Sequence, residues 1–470
     1  MKRQKISLFL ILSLTLFGCS TGLQRGVGFA GDQTVIAQAK AGDAYAMGVL
    51  GALYRRGEGF VKDSEKAYMW VSRSAAKDNP IGLYNLALLY KDGQGVAVDL
   101  VKADQLIARS IGGLRKLADD DDPRALSNLG YLYEIGWGLP KDSMLAFEVY
   151  KKAAQQGFAR AQNNLGLIYQ WGANPNITKA VAWYRKSAEQ GFSRAQANLA
   201  RAYELGLGTE RNLGLAIRWY KLAAKRGSSM AQNRLGSLYE TGEGFNQDYH
   251  EAFFWYRQAA QDVYGPAMVN LGRLYELGKG VPRDENAAFF WYLKGMQQEV
   301  KIGKDRISHL LVRMESRRKK LNLKGMKLSG LNLKGLNFSA VRLDGADLSG
   351  ADLSWSQFNH SSLKNANLVG ADLSFVLMRN ADLSGANLSN AKLKETQMVG
   401  AKLEGANLKQ AHLQSVTLAD AYLNGANLFG VTAQQTNLEG ASLKGALNIP
   451  AQWQAGVDMN GIWSSSNLVP

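Results

Sequence analysis

The stretch Leu235-Gly236-Ser237-Leu238-Tyr239, followed by Gly242-Glu243-Gly244, Trp255-Tyr256 and Ala259-Ala260, decides the reading of the N-terminal half, because the same phrase returns along the chain. Its tyrosine recurs as Tyr54, Tyr90, Tyr133, Tyr169, Tyr203, Tyr239 and Tyr275, at spacings of 36, 43, 36, 34, 36 and 36 residues. In the fourth copy Ala161, Leu165, Ile168 and Tyr169 fall at i, i+4, i+7 and i+8, one face of a helix. Ala180, Trp183, Tyr184 and Ala188 do the same after a turn. Each repeat therefore reads as a helical hairpin with an apolar face on both members. One hairpin cannot bury those faces by itself, so neighbours must stack.

The phrase resembles the Sel-one-like repeat, a branch of the tetratricopeptide superfamily. The resemblance implies an all-α solenoid of antiparallel helix pairs over residues 41–300, wound into a right-handed superhelix whose concave face holds segments of partner proteins. Trp70, Trp183, Trp219, Trp255 and Trp291 recur in register, with Leu106 and Val149 in their place in copies two and three. The Trp-Tyr pairs read as inter-helix packing. The second copy carries a seven-residue excess around Gly112 to Asp122, the place for a bend or a partner-specific loop. Gly-x-Gly pairs such as Gly57-Glu58-Gly59 and Gly278-Lys279-Gly280 lack the third glycine and the preceding strand of a phosphate loop. Between two helices they read as turn residues that supply positive φ. Asp63, Asp99, Asp142, Asp248 and Asp284 recur just before the second helix and read as its N-caps.

Residues 301–320 carry eight Lys or Arg against Asp305 and Glu315. Ile307, Leu310, Leu311 and Met314 share one helix face, so the segment reads as a basic amphipathic helix that caps the last hairpin. Its terminal cations complement the helix dipole and also offer contact with anionic lipid or lipopolysaccharide. From Leu323 to Leu443 the period changes to five: of 25 such positions 20 are Leu, and Phe338, Phe358, Met378, Met398 and Ala433 fill the rest. Five residues advance about 500° on an α-helix and make no face. In a strand an odd period alternates between faces. A chain that turns a corner after each unit lets every centre point inward.

Units such as Ala346-Asp347-Leu348-Ser349-Gly350 resemble the pentapeptide repeat family over residues 321–447. That resemblance implies a right-handed quadrilateral β-helix with four units per coil, hence about six coils and, at ~4.8 Å each, a rod of about 30 Å. Leu321, Met326, Leu331, Leu336 and Val341 replace the usual small residue in the first units, pointing to different packing where the rod meets the basic helix. In the tail, residues 448–470, Trp453 and Trp463 read as a cap on the open end.

At the other end Lys2, Arg3 and Lys5 precede an apolar run from Ile6 to Phe17. The run is shorter than the ~20 residues of a spanning helix, and residues 1–18 read as a signal peptide. The single cysteine of the chain, Cys19, follows Leu16-Phe17-Gly18, a juxtaposition that resembles the lipobox of bacterial lipoproteins. The resemblance implies that Cys19 is the lipidation site, that residues 19–40 form a tether, and that Ser20 directs the protein to the outer membrane, facing the periplasm.

Composition removes other classes. One Cys among 470 residues excludes internal disulfides and Cys-cluster metal sites, and four scattered His suggest no metal centre, so no cofactor is expected. The formal net charge of +16 is spread out: residues 21–300 hold 34 basic against 28 acidic residues, and residues 321–447 hold 11 against 9. Neither is a nucleic-acid surface, nor is the rod the acidic DNA mimic by which some pentapeptide proteins occupy topoisomerases. Ser74, Ser361 and Ser389 each stand three before a Lys, the spacing of penicillin-recognising serine enzymes, and some cysteine-rich relatives have been described as β-lactamases. No Ser-Asp-Asn or Lys-Thr-Gly partner accompanies them. His250-Glu251 likewise lacks the second His of a zinc-protease motif. No catalytic residue is assigned. The expectation is a non-enzymatic scaffold, a lipid-anchored periplasmic adaptor holding unknown protein partners for an envelope assembly such as polysaccharide export. The alternative is a cell-wall-active enzyme or a sensor of peptidoglycan fragments.

Overall fold

The computed structural model describes residues 33–60, 62–298, 300–316 and 321–467. Helix α1 (Gln33–Lys40) precedes seven hairpins: α2 (Ala44–Arg56) with α3 (Ser64–Ala75), α4 (Pro80–Asp92) with α5 (Leu100–Asp119), α6 (Pro123–Ile135) with α7 (Ser143–Gln155), and α8 (Ala159–Trp171) with α9 (Ile177–Glu189). The series continues with α10 (Ser193–Leu205) and α11 (Leu213–Lys225), α12 (Ser229–Thr241) and α13 (Tyr249–Gln261), and α14 (Gly265–Leu277) and α15 (Glu285–Gln297), before α16 (Lys301–Ser316). The chain forms two compact units, one holding residues up to Leu199 with Leu207–Thr209, the other Ala200–Gly206 and the residues from Glu210 onward.

Local chemistry sets the hairpin boundaries. Asp284 Oδ1 accepts from the N–H groups of Asn286 and Ala287 at 2.9 and 3.0 Å, and Asp63, Asp99, Asp142 and Asp248 cap their helices alike. Each satisfies donors that the first turn leaves without partners. Asn176 and Asn212 take the role in copies four and five. First helices close on a left-handed glycine, as at Gly278 with φ +68°, except α8, whose Gly172 is extended at φ −74°. The second glycine of the pair has its own reason. At Gly280, also φ +68°, a Cβ would lie 2.1 Å from the Tyr249 carbonyl oxygen at the head of α13, so bare backbone lets consecutive hairpins close on each other.

The Trp-Tyr pairs divide their work. Tyr150, Tyr184, Tyr256 and Tyr292 are buried against Gly130, Gly166, Gly236 and Gly272 of the facing helix, where a Cβ would come within 2.6–2.7 Å of the ring. Trp183, Trp255 and Trp291 stay half-buried at the edge. The seven extra residues of the second copy form helix rather than a loop. They lengthen α5 to 20 residues against 13 in α7. Seven residues complete two turns to within about 20°, so Ala103, Leu106, Ile107, Ser110, Leu114 and Ala118 remain on one buried face.

From Asn322 to Asn427 every residue preceding a centre pairs in parallel with the residue 20 further on: Asn322 with Arg342, Lys327 with Asp347, Asn332 with Asp352, Asn337 with Gln357. Four such series make a four-sided β-helix of four units per coil. Three pairings lengthen into short strands, β1 (Lys392–Lys394), β2 (His412–Gln414) and β3 (Thr432–Gln434). From Leu323 to Leu443 the centres are buried, apart from half-buried Ala433. From Gly325 to Gly445 every fifth residue turns the corner with φ between 51° and 73°. Outside, an amide ladder ties coils together: Asn367 Nδ2 donates to Asp347 Oδ1 at 3.0 Å, and Asn407 Nδ2 to Asn387 Oδ1 at 3.2 Å.

Within the second unit the last hairpin, α16 and the β-helix share one core. Phe289 and Leu293 of α15, Ile307, Leu310 and Leu311 of α16, and Leu321, Leu336 and Val341 of the first coils belong to one buried cluster, with Met326 and Leu331 packed on it. The oversized residues of the first units thus plug the junction. At the far end Trp453 in α17 (Ala451–Gln454) is buried against the last coil, while Ser442 pairs with Ile462 and Trp463 N–H donates to the Ala441 carbonyl at 2.9 Å. Strand groups that an open end would leave unpaired are covered.

Candidate functional site

Successive first helices touch one another, α2 with α4, α4 with α6, α6 with α8, whereas among the described residues no two second helices of this unit pack as closely. The first helices therefore line the inside of the curve in the first unit. At the end of α2 lie Arg55 and Arg56, and the turn beyond them supplies Glu58, whose Oε1 is 2.7 Å from Arg56 Nε. Arg160 reaches in from the start of α8. Its Nε donates to Ser127 Oγ at 3.1 Å, its Nη2 bonds Asn128 Oδ1, and its guanidinium lies 5.6 Å from the Phe158 ring. Arg194 stands in α10 where Arg160 stands in α8, in Ala159-Arg160-Ala161-Gln162 and Ser193-Arg194-Ala195-Gln196.

These cations are close enough to feel one another. Burial, then the neighbouring Arg56, Arg160 and Arg194 cations, pull the Arg55 guanidinium down to about 10, opposed by the Tyr84 hydroxyl. Burial lowers Arg160 as well, with Arg56 adding to the effect and Tyr84 and Glu58 opposing it. Arg55 Nε is a buried donor with no hydrogen-bond partner among the described residues, and the same holds for the acceptor Asn85 Oδ1 in α4. Arginine remains charged at these values. Arg56 and Arg160 therefore share the Glu58 carboxylate, with Arg55 and Arg194 in the same cationic field.

The second unit shows the balanced version. Glu240 accepts from Tyr256 Oη at 2.8 Å and from both Arg273 Nη atoms at 2.5 and 2.6 Å. Glu204 accepts from Tyr220 Oη at 2.7 Å and from Arg234 Nε at 2.6 Å. Glu276 takes Tyr292 and, at 2.6 Å, Arg313. Burial first, then the carboxylate, holds the Tyr256 hydroxyl above its ordinary range. In each repeat these residues directly follow the recurrent tyrosine, and along the chain that position reads Arg55, Lys91, Glu134, Gln170, Glu204, Glu240, Glu276. The sign inverts between the first copies and the last. This series was the signal in the sequence for the cationic site. Nothing in it places Arg160 or Arg194 beside Arg55.

The singled-out residues land as follows. Cys19, the signal segment and Arg317 to Lys320 of the basic cluster lie outside the described residues. Of the same segment, Arg313 is engaged by Glu276. Ser74 is buried and its Oγ donates to the Ala44 carbonyl at 2.5 Å. Ser361 Oγ donates to the Phe358 carbonyl at 2.7 Å and Ser389 Oγ to Asn387 Oδ1 at 2.6 Å. His250 and Glu251 sit exposed in the first turn of α13. Among the described residues no group of three His, Cys, Asp or Glu is placed to hold a metal ion, and no helix is long and apolar enough to cross a membrane.

Comparison with known proteins adds the following. The Sel1 repeat model matches residues 38–79, 80–103, 123–158, 159–192, 193–228, 229–262 and 265–298, and the pentapeptide repeat model matches residues 321–354, 371–410 and 406–445. Among solved structures, a protective antigen of uropathogenic Escherichia coli strains displaying an SLR fold is 30% identical over 60% of this chain and 60% of its own, with a TM-score of 0.39. A Sel1 repeat protein from Oxalobacter formigenes is 30% identical over 59% of this chain and 79% of its own, with a TM-score of 0.40. A pentapeptide repeat protein from the cyanobacterium Cyanothece is 31% identical over 33% of this chain and 97% of its own, with a TM-score of 0.16. The chain thus spans 60% of the length of the first of these relatives. The search of curated proteins finds no match.

Proposed function

The chain belongs to the Sel1 repeat family and continues into pentapeptide repeats, and from that premise we propose that it is a non-catalytic scaffold, lipid-anchored at the bacterial outer membrane, that holds a partner protein for an envelope assembly. Sel1 repeat proteins are protein–protein interaction scaffolds. The observation that carries the reading here is the inner face of the first helices, which presents Arg55, Arg56, Arg160 and Arg194 as polar groups for recognition. The β-helix, joined to the last hairpin through one core, extends this as a rigid spacer or a second docking surface.

The envelope address rests on Lys2-Arg3, the apolar run to Phe17 and Cys19. Acylation of Cys19 would supply the anchor, and the basic segment 301–320 would lie against anionic headgroups. Two measurements test this. Fractionation of cells making Cys19→Ala should move the protein from the membrane to the soluble periplasmic fraction, and persistence in the membrane removes the lipid anchor. Cross-linking in intact envelopes should recover a defined protein partner, and recovery of none removes the scaffold.

A further inference from the structure

We propose that the inner face of the first helical unit at Arg55, Arg56, Arg160 and Arg194 is a docking site for an acidic segment of the partner polypeptide, whose Asp or Glu carboxylates its guanidinium groups receive. The inference rests on the scaffold reading and adds to it the chemistry of the partner.

Three observations carry it. The first is charge: Arg55 feels the cations of Arg56, Arg160 and Arg194, and among the described residues Glu58 forms an ion pair with Arg56 alone, whereas each buried Glu of the second unit has its own Arg. A cation taken out of water without a counter-charge is costly, and a carboxylate relieves that cost through paired N–H donors matched to the guanidinium fork. The second is unmet hydrogen bonding, since Arg55 Nε is a buried donor without a partner.

The third observation is an aromatic support for the cations. The Phe158 ring, flanked by Arg124 at 5.8 Å and Arg160 at 5.6 Å, braces the cationic side chains from α6 and α8.

The test uses the full chain in its Cys19→Ala form and fluorescence anisotropy. The probes are a short labelled peptide alternating Glu with Ala and its Gln–Ala counterpart, with inorganic phosphate and duplex DNA as competitors. The Glu peptide should bind about tenfold or more tighter than the Gln peptide, the scale of one charge-assisted contact. Its affinity should fall with added salt. Arg160→Gln combined with Arg194→Gln should weaken it by a similar factor, while Arg218→Gln on the exposed face of α11 leaves it unchanged. Because Arg194 is exposed, Arg194→Gln alone is a second variant that keeps the fold, checked by its thermal melt.

Equal binding of the Glu and Gln peptides, unchanged binding in the variants, or displacement by phosphate or DNA at lower concentration than by unlabelled Glu peptide overturns the proposal. Envelope cross-linking separates the two readings. A partner captured equally by the parent and by the Arg160→Gln, Arg194→Gln protein refutes the acidic dock and keeps the scaffold. Glu-peptide binding with no partner captured keeps the dock and removes the scaffold.

Discussion

Phe289 of the last helical hairpin and Phe338 of the first β-helical coil meet edge to face, their centroids 6.4 Å apart and their planes at 67°. Phe338 in turn stacks on Phe358 one coil further on, at 5.0 Å. Two repeat architectures with different periods are thus joined through side chains, and the apolar path runs from α15 into the rod.

Phe338→Ala should therefore be felt on both sides of the junction. Removing a fully buried Phe costs about 3–5 kcal/mol through lost transfer energy and the cavity left behind. Hydrogen exchange should show amides of α15 and of the first coil speeding up together. Acceleration confined to the β-helix would contradict a shared core.

Glycines of equal φ should respond unequally. Gly280→Ala forces a Cβ against the Tyr249 carbonyl, adding overpacking of about 1–3 kcal/mol to a left-handed cost of about 1–2 kcal/mol. At Gly350, φ +63°, a Cβ meets nothing within 4 Å. Gly350→Asn should fall within about 1 kcal/mol of the parent, since Asn tolerates that conformation. Urea midpoints of the two variants decide.

Ser74 is a structural hydroxyl in this arrangement. Ser74→Ala should lower stability by about 1 kcal/mol, the worth of its bond to the Ala44 carbonyl. Nitrocefin is the functional check on the purified chain. Turnover that Ser74→Ala abolishes would reverse the assignment.

At alkaline pH, Tyr45 gives a signed prediction. Its hydroxyl donates to Asp122 Oδ2 at 2.6 Å, and burial first, with the Asp122 charge adding to it against Arg124, pushes it up to about 12. An unfolded tyrosine titrates near ~10. The fold holds this proton more tightly, so the contribution is complete below pH 10 and is lost as pH rises through 12. Urea midpoints measured across that window should fall less steeply in Tyr45→Phe than in the parent. Tyrosinate absorbance should follow the same step.

Much of this was legible from residue order. The tyrosine period with its Gly-x-Gly turns pointed to hairpins, and the Asp before each second helix pointed to caps, because both depend on groups only a few residues apart. The seven-residue excess reads in the sequence as a bend or a loop, and the structure makes it helix. A helix extended by two turns keeps its buried face, and only packing against its neighbours reveals that. Trp453 and Trp463 were legible as a cap because a rod must end. That the pentapeptide core would merge with α15 and α16 was visible only as the unusual bulk of Leu321, Leu336 and Val341.

By itself the sequence determined the two architectures, since a period near 36 residues with helical faces permits stacking, and a period of five permits only a chain that turns corners. What tertiary structure alone decided is which unlike residues meet. Arg160 and Arg194 lie 105 and 139 residues beyond Arg55. Their convergence comes from small angles between successive hairpins, summed over several repeats. Those angles are set by how one hairpin closes on the next, as at Gly95 against the Ser64 carbonyl and Gly138 against Ile107, so no local window of sequence contains them.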